Sequence, residues 1–127
     1  MTRSTATAPT TVATSPSSAV AVSGTLTLTL AASATRIAPG APITVTVSAT
    51  DTQARGALAY RVSYGDGTSD QNVVPQFCLA GAGIVSHQTW PLTHRYTASG
   101  NYLVVATVTA TCTPDRATAT LSVISAR

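Results

Sequence analysis

The chain has neither lysine nor glutamate: every cation is arginine, every anion is aspartate, and only 9% of its 127 residues are charged. An ordinary globular protein carries about a quarter. Those two missing residues furnish many helix surfaces, so their absence argues against a helical fold. A surface this poor in charge also disfavours long-range electrostatic steering as the main mode of recognition. Seven arginines leave a formal net charge of +3, but they are scattered without a basic run. Aromatic residues are scarce at 5%, and five of the six (Tyr60, Tyr64, Phe77, Trp90 and Tyr96) lie in one stretch without alternating with cations. That removes the pattern of a nucleic-acid binder. No stretch approaches the roughly 20 apolar residues of a membrane-spanning helix, so membrane insertion is not expected. Met1 is followed by Thr2, Arg3, Ser4 and Thr5 rather than by the apolar run of a signal peptide.

Cysteine is equally sparse. Cys78 and Cys112 form no Cys-x-x-Cys pair and have no histidine at zinc-ligand spacing, so no metal centre and no cofactor are expected. They are either joined or two buried free thiols.

What the chain has in quantity is threonine, 24 copies, together with valine. Side chains branched at Cβ pack well on a pleated surface, and an all-β fold follows. Residues 1–25 hold only Thr, Ser, Ala, Pro, Val, Gly, one Arg and the Met. With no periodicity able to bury a face, they read as a low-complexity arm, disordered when isolated. The division is therefore an arm over residues 1–25 and one folded domain over 26–127.

From Leu26 the pattern takes period two. Leu26, Leu28 and Leu30 alternate with threonines, Ile43, Val45 and Val47 follow the break at Pro39-Gly40-Ala41-Pro42, and Leu58, Tyr60, Val62 and Tyr64 precede a turn. A short strand is predicted over about Gln71 to Pro75. Gln76 to Ser86, with Gly81-Ala82-Gly83, reads as a loop. Another strand runs from about Gln88 to Tyr96, restricted by Pro91 to an edge or a bulge. Tyr102, Val104, Ala106, Val108, Ala110 and Cys112 share one parity of the longest strand, and Ala117, Ala119, Leu121 and Val123 define the last. Seven short strands make a two-sheet antiparallel sandwich. The predicted core is Ile43, Val45, Val47, Leu58, Tyr60, Val62, Tyr64, Tyr102, Val104, Ala106, Val108, Leu121 and Val123. In this topology Cys78, in the long connection, and Cys112, at the close of the longest strand, reach the same end, which favours the disulfide over free thiols.

Three segments in order carry a resemblance: Val62-Ser63-Tyr64-Gly65-Asp66-Gly67, His94-Arg95-Tyr96, and Gly100-Asn101-Tyr102-Leu103-Val104-Val105-Ala106-Thr107-Val108. Together they resemble the PKD domain, an immunoglobulin-like sandwich marked by Trp-Asp-Phe-Gly-Asp-Gly, then His-x-Tyr, then Gly-x-Tyr-x-Val-x-Leu-x-Val. The hallmark Trp and its Asp neighbour are replaced here by Val62 and Ser63, and a long insertion precedes His94. The resemblance implies a seven-stranded immunoglobulin/PKD-like architecture and a non-catalytic spacer or interaction role, with no particular ligand. On physical grounds Asp66-Gly67 is turn chemistry, Gly100 lets the chain reverse, Tyr102 sits where a corner tyrosine would, and His94 hydrogen-bonds under the Gly65-Asp66-Gly67 turn.

Sharper chemistry finds little support. Ser86-His87 is the one suggestive neighbour pair, and adjacent strand residues point to opposite faces, so no enzyme is expected. Asp66 and Asp70 lack the dense oxygen series of a calcium loop and read as turn stabilisers. Phe77, His87 and Trp90 form a candidate binding loop, with Trp90 as core packing the plainer alternative. Two functions fit. The first is a structural protein decorating a virion, such as a phage capsid, held by its neighbours and its arm. It rests on an initiating Met without a leader, a low-complexity arm and no catalytic constellation. The second is a secreted accessory module of a bacterial surface protein or polysaccharide hydrolase, binding carbohydrate or acting as a spacer. Protein partners lead, carbohydrate is possible, and the location is extracellular or a virion surface.

Overall fold

In a computed structural model, which describes residues 16–54, 56–72, 74, 78 and 85–127, alternating residues build two facing sheets. The first holds β1 (Ser17–Ser23), β2 (Leu26–Ala32), β4 (Pro42–Asp51) and β7 (Ser86–Arg95), in the order β1-β2-β4-β7. The second holds β3 (Arg36–Ile37), β5 (Leu58–Ser63), β6 (Ser69–Gln71), β8 (Gly100–Ala110) and β9 (Arg116–Ser125), in the order β3-β9-β8-β5-β6. All pairs are antiparallel except β3 with β9. The fold class is the predicted all-β sandwich, with β1 and β3 added to the seven expected strands.

β1 corrects the boundary of the arm. Ser17–Ser23, assigned above to low-complexity sequence, pairs residue for residue with β2, from Ser17 opposite Ala32 to Ser23 opposite Leu26. The alternation was invisible because both faces are apolar. Ala19 and Ala21 turn inward onto the core, while the larger Val20 and Val22 face out. Backbone pairing, which is blind to side chains, holds the strand in place. The remaining arm residues, 1–15, lie outside the described residues.

The two sheets close on Leu26, Leu28 and Leu30 of β2, Ile43, Val45 and Val47 of β4, Val104, Ala106 and Val108 of β8, and Leu121 and Val123 of β9, all buried. Of the predicted core, Tyr60 and Tyr102 are only partly buried, packing against its margin, whereas Tyr96 is fully buried. Strand ends shift for local reasons. β6 stops at Gln71 because the Asn72 side chain takes over the ladder: its Oδ1 accepts from Tyr60 N at 2.7 Å and its Nδ2 donates to Leu58 O at 3.3 Å. β8 ends at Ala110, two residues before Cys112, where Ala110 N donates to Asp115 O and the chain turns. β7 takes the free edge of its sheet, which accommodates Pro91. Of the predicted loop, residues 76, 77 and 79–84 lie outside the described residues.

Candidate functional site

The motif residues gather at one end of the sandwich. Tyr64 leaves β5 into the turn Gly65-Asp66-Gly67, where both glycines hold positive φ, 86° and 89°. Gly65 is required twice over. Besides its φ, a Cβ there would stand 2.7 Å from the Leu103 carbonyl oxygen, because the turn presses directly on β8. Asp66 Oδ1 accepts from Thr68 N at 3.1 Å and from the Thr68 hydroxyl. This is the side-chain mimicry of a backbone turn that the Asp-Gly pair implies.

His94, on β7 of the other sheet, reaches across to this turn. Its Nε2 donates to Asp66 Oδ2 at 2.8 Å, and its ring stacks on Tyr64 with centroids 3.9 Å apart and planes 2° from parallel. Tyr96 meets the His94 edge at 4.6 Å and stacks on Tyr102 at 4.1 Å. Each tyrosine hydroxyl has an acceptor: Tyr64 donates to Asp70 Oδ2 at 2.6 Å, Tyr96 to Tyr64 O at 2.7 Å, and Tyr102 to Ala98 O at 2.8 Å. Gly100 departs from expectation. It is the first residue of β8, without a positive φ, and a Cβ there would touch the Tyr102 ring at 3.4 Å. It does not reverse the chain, and a Cβ there would meet the corner tyrosine at ordinary van der Waals distance.

The electrostatics follow from these contacts. Burial pushes the Tyr64 phenol well above its ordinary value, reinforced by the hydrogen bond to Asp70 and the charge of that group. Burial likewise raises Tyr96, with the Asp66 charge adding to it. For Asp66 burial acts upward, but the hydrogen bonds from Thr68 and His94 outweigh it and hold the carboxyl below the usual carboxylate range. Tyr64 and Tyr96 thus stay protonated donors and Asp66 an ionised acceptor, which is the arrangement of a lock between sheets. Both Asp66 and Asp70 are engaged by protein donors, and among the described residues no group of three or more His, Cys, Asp or Glu gathers.

The other candidates separate. Ser86 donates its hydroxyl to Gly56 O at 2.8 Å, while His87 Nδ1 lies 2.6 Å from the Thr50 hydroxyl on the outer face. His87 and Trp90 belong to β7, not to a loop, and their odd and even positions put them on opposite faces of the strand. Trp90 packs on Tyr60 with ring centroids 4.7 Å apart, at the margin of the core. Phe77 lies outside the described residues. Cys78 and Cys112 are joined, with Cα atoms 5.6 Å apart.

One feature escaped the sequence reading. Asp51 is fully buried, its Oδ1 accepting from the Thr25 hydroxyl and from Gln53 N, and its Oδ2 has no hydrogen-bond partner among the described residues. The Thr25 hydroxyl also lies 3.1 Å from Asp115 Oδ2, so one proton serves two carboxylates. The signal was present: Asp51 continues the inward parity of Ile43, Val45, Val47 and Ala49.

A family model for the PKD domain matches residues 26–124. The chain belongs to the PKD domain family. PKD domains are typically non-catalytic extracellular modules, and the disulfide and the lock between sheets agree with that character. A solved structure of the PKD domain of an M14-like peptidase from Thermoplasmatales archaeon SCGC AB-540-F20 is similar in fold. It has a TM-score of 0.56 and 17% identity, over 88% of this chain and 93% of that one. No curated protein matches. No helix among the described residues is long and apolar enough to cross a membrane.

Proposed function

We propose that this PKD domain is a non-catalytic interaction module displayed on an exterior surface, with neighbouring protein as its partner. The observation that carries this reading is the Cys78–Cys112 bridge, because such a bond persists only outside a reducing cytosol. The Asp66 cluster supports it, since its donors and acceptors are spent on one another and leave a rigid scaffold instead of a reacting centre.

Within that class, decoration of a virion such as a phage capsid is favoured by β1. This strand occupies an edge of its sheet, and its outward Val20 and Val22 are 64% and 67% exposed. It directly follows the low-complexity sequence. An uncharged apolar edge is a template for pairing with a neighbour's strand. The second reading is an accessory module of a secreted or surface protein, and the similar solved PKD domain is that of a peptidase. Immunogold labelling of the native source separates these. Label on particles supports decoration, and label on the cell exterior or on a larger enzyme supports the accessory module. Label confined to the cytosol, on chains with both cysteines reduced, refutes the exterior function itself.

A further inference from the structure

The outer face of the five-stranded sheet carries an open hollow of about 400 Å³, within the size range of ligand sites. Its floor is β8. Arg61 of β5 stands opposite Thr107, and Arg116 of β9 stands opposite Thr109, so the two arginines flank the same pair of outward threonines. Strand spacing puts their backbones roughly 12 Å apart, and both side chains line the hollow between them.

Among the described residues no carboxylate lines it. Asp70 is turned to the Tyr64 hydroxyl, and Asp115 to Thr25. Gln71 Oε1 accepts from an Arg61 terminal nitrogen at 3.1 Å. That contact steadies the guanidinium while leaving most of its five donors unspent. The Arg116 guanidinium and the Thr109 hydroxyl have no hydrogen-bond partner among the described residues.

Two uncompensated guanidiniums beside a hydroxyl- and amide-bearing floor match an oxyanion carried on a hydroxylated chain, since arginine pairs with carboxylate or sulfate through two parallel bonds. We propose that this hollow binds an acidic polysaccharide, with Arg61 and Arg116 holding its carboxylate or sulfate groups and Thr109 and Gln71 its hydroxyls. A single-stranded nucleic acid fits less well, because it needs exposed rings to stack its bases. Among the described residues of the lining the one aromatic, Tyr60, is already packed on Trp90. The hollow lies on the sheet opposite β1, so it stands independently of any attachment through that edge.

Isothermal titration of the full chain with polygalacturonate, dextran sulfate, neutral pullulan and a single-stranded oligonucleotide tests the proposal. Binding to one or both acidic glycans is expected, with none to pullulan and affinity at least about tenfold weaker for the oligonucleotide; the tighter acidic glycan assigns carboxylate or sulfate as the group read. Arg61→Gln combined with Arg116→Gln should weaken binding about tenfold or more at an unchanged melting temperature, because both side chains are exposed. Arg36→Gln, on β3, removes the same charge elsewhere and should leave binding intact. The proposal is overturned if neither acidic glycan binds, if the oligonucleotide binds as tightly, or if Arg36→Gln costs as much as the double variant.

Discussion

Breaking the Cys78–Cys112 bond should lower stability through the unfolded chain more than through the folded one. The cysteines are 34 positions apart, and closing a loop of that size removes about 12.6 cal/mol/K from the denatured ensemble, or about 4 kcal/mol at 25 °C, in the chain-entropy treatment. The folded end keeps its other ties: Thr111 N and its hydroxyl both donate to Ala57 O, and Ala110 N donates to Asp115 O. With unfolding entropy near 2.1 cal/mol/K per residue over the roughly 100 described residues, the loss corresponds to a fall of about 18 °C in Tm. Calorimetric melts of the oxidised protein, the protein reduced with a phosphine, and the Cys78→Ser/Cys112→Ser variant provide the comparison. The last two should coincide, each as a single cooperative transition well below the first. A shift under about 3 °C would refute the reasoning, because it would mean that the bridge does not restrict the unfolded chain. Two reactive thiols in denatured, unreduced material would refute the bridge itself.

Three further outcomes are expected. Val104→Asp places a charge at a fully buried position of β8 opposite Leu121; it should cost more than about 4 kcal/mol in urea denaturation, and an unchanged midpoint would mean that Val104 faces out. The Asp66 carboxyl is held below its unfolded value, so its stabilisation is fully present above the unfolded pKa and is lost as pH falls through the folded one. Asp66→Asn should therefore flatten the acid limb of a Tm-against-pH curve, and a limb of unchanged slope would remove Asp66 from it. Deletion through residue 15 leaves β1 whole, whereas deletion through Ser23 strips the partner of β2 and uncovers the core beneath Ala19 and Ala21. The longer deletion should melt clearly lower, and equal melting of the two would show that β1 adds nothing to the domain.

The turn and its partners were unusually legible because they are coded by residue type at short range. Asp-Gly after an alternating strand implies a carboxylate satisfying its own turn, and the structure has Asp66 bonded to Thr68. The role of Gly100 was misread because a glycine before a strand reads alike whether or not it takes a positive φ, and only the folded backbone shows that it does not. His87 and Trp90 looked like neighbours in an exposed loop, but once β7 pairs along all of β4 its pleat sends them to opposite faces.

The sequence by itself determined the sandwich, the inward parity of its long strands and the end at which the cysteines meet, because period-two alternation and turn chemistry are local and survive without knowledge of partners. Only the tertiary structure decided three other things: that Ser17–Ser23 joins a sheet, that one threonine proton serves Asp51 and Asp115, and that Arg61 and Arg116 flank the same threonines. Each of these depends on register between segments far apart in the chain. Backbone pairing sets that register, and its donors and acceptors are the same at nearly every residue.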